Sequence, residues 1–501
     1  MSIFNGKLDE IPEITIDRFD GEKNLKESTA YFLTHFHSDH MKGLDTLVFR
    51  QALLERNDVY LYTSEITRCI MKNHSRYHLL IPKIKPLPSV GCKLLSIPSL
   101  IDDSSHRDLQ VTLIPTGHCP GSVMFFFELQ QGNILYTGDF RLSRDNICTL
   151  SDLHHKDGTP KEINALYVDA TYFDDLYPIF PKREESVEKI FNLTKDWLEK
   201  CPHNEVLLDT AANYGYEYIF GELRKKLGMK VHVSRDKVNT LRNVKEINAA
   251  ITHDRRETRI HACAYQRTLP SECRGLGDKK FLTLRLSCMW YEKNYAAKGV
   301  IAEDMYEYTR VCYSSHCSKE ELVNFIEYFL PKKVVACAIP RGRTANEVEN
   351  EIMDLIHQKS KTSTDSSSTP EDSHTSYALK CQVKRKMMSS PRKKRAFVPL
   401  SPDVSSNESP PCLHYAEGDH PQVSSAKRQM MIEKSVISEV SCWGNDSEKE
   451  QSVSVNHSCS SGEVRLALEL PARENDSGEH QSTPVDHTCS LEVLRQASEG
   501  L

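Results

Sequence analysis

The chemistry of this chain concentrates in Tyr31-Phe32-Leu33-Thr34-His35-Phe36-His37-Ser38-Asp39-His40, where three histidines and an aspartate fall within six residues. Neutral imidazole and carboxylate are ligands for zinc and similar divalent ions. His35 and His37 are two apart, so an extended backbone points both rings to one side. Asp39 and His40 follow where the chain can turn back toward the same point.

Other residues of these types recur at the ends of predicted strands. His118 lies in Thr116-Gly117-His118-Cys119-Pro120-Gly121-Ser122, a tightly constrained backbone that suits a rigid ligand, though plain turns use the same residues. Asp139 lies in Gly138-Asp139-Phe140-Arg141, a pair that is commonly only a turn but here follows a strand. Asp169 ends a third strand. Asp17 closes an alternating stretch and reads equally as a surface carboxylate or a member of the set. His316 falls between a strand end and a helix opened by the capping box Ser318-x-x-Glu321. That is a place for a ligand, or for a proton donor beside a phosphate. Further on, His261-Ala262-Cys263 precedes Cys273. On a strand, His261 and Cys263 project to one side, and His232 at the end of the preceding strand would complete a tetrahedral zinc set. Buried cysteines with core histidines are the alternative.

The elements that must position these groups follow from periodicity. Strands are predicted at 14–19, 30–33, 59–63, 111–115, 165–169, 205–209, 230–233, 260–263, 309–314 and 333–339, with a hairpin from 122–129 and 133–137 around Gly132. Helices are predicted from Thr63 or Ser64 to about Met71, and over 183–200, 216–226, 319–329 and 344–357. Strands alternating with helices indicate an α/β architecture. Arg224, Lys225 and Lys226 on one helix are either a backbone-tracking patch or a solvated face.

With 501 residues and 39% hydrophobic content, the chain has room for two domains and extra sequence. Its net charge of −6 advertises no nucleic acid, but an average can hide a basic groove. The N-terminus lacks a secretory pattern, no apolar run is long enough to span a bilayer, and the sixteen cysteines lack a disulfide spacing. A reducing compartment is expected, with no membrane. From about Ser360 the composition turns to Ser, Thr, Asp, Glu and Pro without apolar periodicity, so 360–501 is expected to be disordered. Within it, Lys384, Arg385, Lys386 and then Arg392, Lys393, Lys394 and Arg395 read as a nuclear import signal or a nucleic-acid patch.

Taken together, the stretches ITIDRFD, YFLTHFHSDHMKGL, TGHCPGSVMFFF, LYTGDFRL, YVDATYF, NYGYEYIF, IHAC and SSHCS resemble the metallo-β-lactamase family with the β-CASP insertion typical of nucleic-acid nucleases. The GHCPGSVMF and YTGDFR strings narrow the likeness to the DNA cross-link repair and end-processing branch. It covers about residues 10–345. The resemblance implies an αββα sandwich, with residues 1–160 as its first part, 161–314 as the insertion, 315–359 as the return and 360–501 as a regulatory tail. It implies His35, His37, His118 and Asp139 as ligands of the main metal, and Asp39 and His40 as ligands of a second ion or holders of the attacking water. Asp17 would orient a histidine, while Asp169 and His316 would lie near the metals and the scissile phosphate. His232, His261, Cys263 and Cys273 would hold structural zinc.

The implied function is a nuclear, metal-dependent DNA endonuclease and 5′ exonuclease. It would open hairpins and trim overhangs in end joining and V(D)J recombination, using zinc, with Mg²⁺ or Mn²⁺ as activating ions. Its partners would be DNA ends, the DNA-dependent protein kinase and DNA ligase IV. An RNA-processing nuclease of the same fold and an inactive repair scaffold are the alternatives. At the last insertion motif, where RNA-processing relatives carry histidine and the DNA branch valine, this chain has Ala338. It also lacks any Ser-Gln or Thr-Gln, the dipeptides that the kinase prefers.

Overall fold

A computed structural model describes residues 2–102, 104–264, 268–273 and 280–365. The unit 397–501 and the basic residues Lys384 to Arg395 lie outside the described residues, and so does nearly all of the predicted disordered tail. Its expected start at 360 is too early, because the helix Ala345–Asp365 runs past it.

The fold is α/β, built on three sheets. A five-stranded sheet runs Lys7–Leu8, Ile11–Ile16, Ala30–Phe32, Leu61–Ser64 and Ile84–Leu87, parallel except for the first pair. A six-stranded sheet has the order Lys333–Ala338, Ala165–Asp169, Gly132–Tyr136, Val123–Leu129, His106–Pro115, Cys92–Pro98. Its first three strands are parallel and the rest antiparallel. The two sheets pack face to face, and the strand Val123–Leu129 shows how. Phe125 and Phe127 point into the shared core, where both rings meet Phe32 at 5.1 and 5.4 Å. Met124 and Phe126 point the other way, onto the helices Lys319–Phe329 and Ala345–Asp365. A strand covered on both faces is apolar throughout, not alternating. Burying one such large side chain contributes about 1.5–3 kcal/mol.

Between Asp169 and Lys333 the chain leaves this sheet and builds a seven-stranded one. Its order is Ile251–Thr252, Val231–His232, Ile260–His261, Glu205–Thr210, Phe281–Leu286, Thr309–Val311, Ala302–Asp304. The helices Arg183–Lys200 and Glu217–Leu227 pack in the same apolar cluster, which continues to the helices Leu47–Leu54 and Glu65–Asn73 beside the five-stranded sheet. The predicted boundary at 161 is therefore corrected. Ala165–Asp169 is hydrogen-bonded between Gly132–Tyr136 and Lys333–Ala338, so the chain leaves this sheet only after Asp169.

Candidate metal centre

Asp17, His35, His118, Asp139 and Asp169 all lie at or just beyond the carboxyl ends of strands of the two packed sheets, and both sheets deliver them to one end of the sandwich. Open α/β sheets place ligands there. His35 Nε2 is 3.1 Å from His37 Nδ1, which is 3.0 Å from His118 Nε2. Asp139 Oδ2 lies 3.5 Å from His118 Nε2 and 3.7 Å from His35 Nε2. A tetrahedral ion held at 2.0–2.1 Å by each donor would require edges of about 3.4 Å.

The ring nitrogens that face outward fix the tautomers. Thr34 Oγ1 has one proton and donates it to Asp17 Oδ2 at 2.6 Å. At 2.8 Å from His35 Nδ1 the same hydroxyl must accept, so Nδ1 carries the hydrogen and Nε2 keeps its lone pair. His37 Nε2 meets the Tyr214 carbonyl at 3.3 Å, and His118 Nδ1 meets the Ser315 carbonyl at 3.2 Å. Each therefore donates outward and leaves a bare nitrogen inward. Three lone pairs at 3.0–3.1 Å repel one another unless a cation sits among them. Burial, with the neighbouring histidines, holds His35 and His118 well below the usual histidine range and lowers His37, which keeps the rings neutral.

A second pole adjoins the first across Asp139. His40 Nδ1 is 2.9 Å from Asp17 Oδ2, while its Nε2 is 3.2 Å from Asp139 Oδ1 and 3.8 Å from Asp39 Oδ2. Asp39 is more exposed than the others and accepts from Ser2 N at 3.3 Å. Asp17 is buried at φ 55°, a conformation uncommon outside glycine, and accepts from Thr34 N, Thr34 Oγ1, His40 Nδ1 and Tyr136 Oη. On the far side, His316 Nδ1 donates to Asp169 Oδ2 at 2.7 Å, and its Nε2 is 3.9 Å from Asp139 Oδ2. Burial opposes charge on His316, but Asp169 and then Asp139 outweigh it and hold the ring above the usual range. A register shift between Val168 and Asp169 puts Asp169 opposite Ala338 at the strand's end, where its carboxylate meets this histidine.

The structure also gathers His232, His261, Cys263 and Cys273, some distance along the chain in the seven-stranded sheet. His232 Nδ1 is 3.2 Å from His261 Nδ1, Cys273 Sγ is 3.5 Å from His232 Nδ1, and the two sulfurs are 3.7 Å apart. A tetrahedral ion with sulfur at 2.3 Å and nitrogen at 2.0–2.1 Å would set these edges at about 3.4, 3.6 and 3.8 Å. A disulfide would need about 2.05 Å between sulfurs. Cys263 lies beyond the strand, which ends at His261, so it reaches the set from a loop and not by strand alternation. His261 Nε2 faces Glu205 Oε2 at 3.2 Å.

Sequence reasoning missed Thr34, Tyr136, Glu205, Ser2 and the carbonyls of Tyr214 and Ser315. Thr34 had the one usable signal, its place directly before His35. The basic residues considered for DNA are engaged locally: Arg224 with the Gly228 carbonyl, Lys225 with Glu222 and Lys226 with Glu188.

Residues 245–342 match the family described as DNA repair metallo-beta-lactamase, and residues 19–157 match that of Anti-Pycsar protein Apyc1. Protein artemis of Homo sapiens is 35% identical over 374 residues, which are 72% of this chain and 53% of that protein. Over that stretch the chain is similar to artemis. Protein artemis of Danio rerio is 35% identical over 362 residues, covering 70% of this chain and 55% of that protein. DNA cross-link repair 1A protein of Homo sapiens is 30% identical over 323 residues, covering 61% and 28%. The chain thus spans about half the length of the artemis proteins it matches. No helix among the described residues is long and apolar enough to cross a membrane.

Proposed function

We propose that this chain is a metal-dependent DNA nuclease of repair, a hairpin-opening and overhang-trimming endonuclease and 5′ exonuclease acting in end joining and V(D)J recombination. The observation that carries the reading is the inward convergence of His35, His37, His118 and Asp139, each ring held from behind by an outward hydrogen bond. The likeness to artemis and to DNA cross-link repair 1A protein supports DNA as the substrate. On this reading, the two packed sheets are a metallo-β-lactamase core, and the seven-stranded sheet after Asp169 is the β-CASP insertion. The residues after the helix Ala345–Asp365 form a regulatory tail with nuclear import in 384–395, and the DNA-dependent protein kinase and DNA ligase IV are partners.

His35, His37, His118 and Asp139 would hold zinc, with His40, Asp39 and Asp139 beside a second ion, for which Mg²⁺ or Mn²⁺ would serve. A bound ion of this kind supplies a water acidified toward neutral pH and a polarised phosphoryl oxygen. The chain's own residues do the rest. Asp39 orients the attacking water for in-line attack and takes its proton. Asp17 and Thr34 hold His40 and His35 in one orientation each. His316, kept charged by Asp169, gives its Nε2 proton to the leaving 3′ oxygen. His232, His261, Cys263 and Cys273 would hold a structural zinc that ties the insertion together.

The test is cleavage of a hairpin-ended duplex, an overhang and a single-stranded RNA control by purified protein with added Mg²⁺ or Mn²⁺. Hairpin cutting should fall by about 10²–10⁴ in Asp39→Ala and be lost in His35→Ala. Unchanged cutting in both, or preferential cutting of RNA, would refute the proposal. Deleting 384–395 should reduce nuclear accumulation while leaving cleavage in vitro intact.

A further inference from the structure

Two arginines bridge the seams where the inserted sheet meets the sheets that carry the histidines. Arg141, after Asp139, reaches outward. Its Nη2 donates to the Pro181 carbonyl at 2.8 Å and its Nη1 to the Ser314 carbonyl at 3.1 Å, so it grips the chain where it enters and where it leaves the insertion. Glu321 takes its Nε at 3.1 and 3.2 Å. Arg183, the first residue of the helix Arg183–Lys200, reaches back the other way. Its Nη1 donates to the Gly117 carbonyl at 2.6 Å and its Nη2 meets the Ser315 carbonyl at 3.5 Å. Those carbonyls flank His118 and His316. The Ser315 carbonyl is also the acceptor that fixes the His118 tautomer.

Gly117 makes room for this contact. It sits at φ 69°, and a Cβ there would stand 3.1 Å from Arg183 Nη1. The fit is achieved at a cost, because Arg183 Nε is buried without a partner among the described residues. Here the fork is given to two carbonyls on different segments, a task for which lysine, a single point charge, has no geometry.

We propose that Arg183 is a positioning residue for the metal centre. By spanning the Gly117 and Ser315 carbonyls, it aims His118 Nε2 inward and makes docking of the insertion a condition for a complete ligand set. The proposal rests on the reading of His35, His37, His118 and Asp139 as a metal site.

The experiment uses the full chain as Arg183→Ala, Arg183→Lys and His118→Ala. Co²⁺ affinity at the histidine–aspartate centre is read from its absorption spectrum and by chelator competition, alongside zinc retained by the Cys263/Cys273 set, thermal stability, and kcat and KM on DNA. Arg183→Ala should weaken Co²⁺ binding by about 10–100-fold, the usual loss when a partner behind a ligand is removed. It should lower kcat more than it raises KM and leave the cysteine set loaded. Arg183→Lys should recover thermal stability without recovering affinity. Wild-type affinity in either variant would overturn the proposal, as would equal loss at both metal sets. Wild-type affinity in His118→Ala would instead overturn the metal-site reading beneath it.

Discussion

Thr34 shows how much one hydroxyl can decide. With a single proton to give, it joins Asp17 to His35 and sets which His35 nitrogen faces inward. Thr34→Val keeps the shape and removes both bonds, leaving a buried carboxylate and an imidazole each short of a partner. The expected cost is about 1–3 kcal/mol of stability and a 10–100-fold loss of metal affinity, read by thermal unfolding and metal competition. Asp17→Asn should likewise weaken metal binding, because an amide donates from one side where His40 Nδ1 and Thr34 need acceptors. That these histidines and aspartates would converge was legible in the sequence, because His35, His37, Asp39 and His40 are ligand types at short spacing and His118, Asp139 and Asp169 each follow a strand. Thr34 was not, because its role exists only once Asp17, seventeen positions earlier, has turned back at φ 55° to meet it.

At the scale of the element, loop ends carry the site and caps hold the loops. Ser318 Oγ accepts from Glu321 N, and the Glu321 carboxylate accepts from Ser318 N, which fixes the start of Lys319–Phe329 three residues after His316. Ser318→Ala should cost about 1 kcal/mol and reduce kcat more than binding, since it loosens the loop bearing the proposed proton donor. The same helix ends on Leu330 at φ 46°. Leu330→Gly should stabilise the protein by up to about 1 kcal/mol in a denaturation curve, with cleavage unchanged. Periodicity exposed the long elements, and the predicted helix 183–200 coincides with the observed one. It did not expose Ile84–Leu87 or Cys92–Pro98. The first is four residues with a proline, and the second is an edge strand whose outer residues are exposed, so neither shows a clean alternation. The register shift before Asp169 was invisible for a different reason, since it arises from pairing with a strand about 170 residues away and leaves no local mark.

For the molecule as a whole, the two proposed metal sets, of different chemistry, would give two losses on chelation. The histidine–aspartate set opens toward Asp39 and should empty first, abolishing cleavage while the fold persists. The set of His232, His261, Cys263 and Cys273 should empty later, with unfolding of the seven-stranded sheet, because ions held by thiolate contribute directly to folding. Cys273→Ser should remove one zinc equivalent and lower the thermal midpoint; an unchanged zinc count would make the cysteines ordinary core. The pairing of Ala165–Asp169 with Lys333–Ala338 also bears on synthesis. At about 5–20 residues per second, a ribosome needs roughly 8–30 s to pass from one strand to the other. Throughout that interval Ala165–Asp169 can pair with Gly132–Tyr136 on one side, while its other side is an open edge that any passing strand can seize. Whatever covers that edge during synthesis, or shortens the wait, would favour its own partner over a stranger.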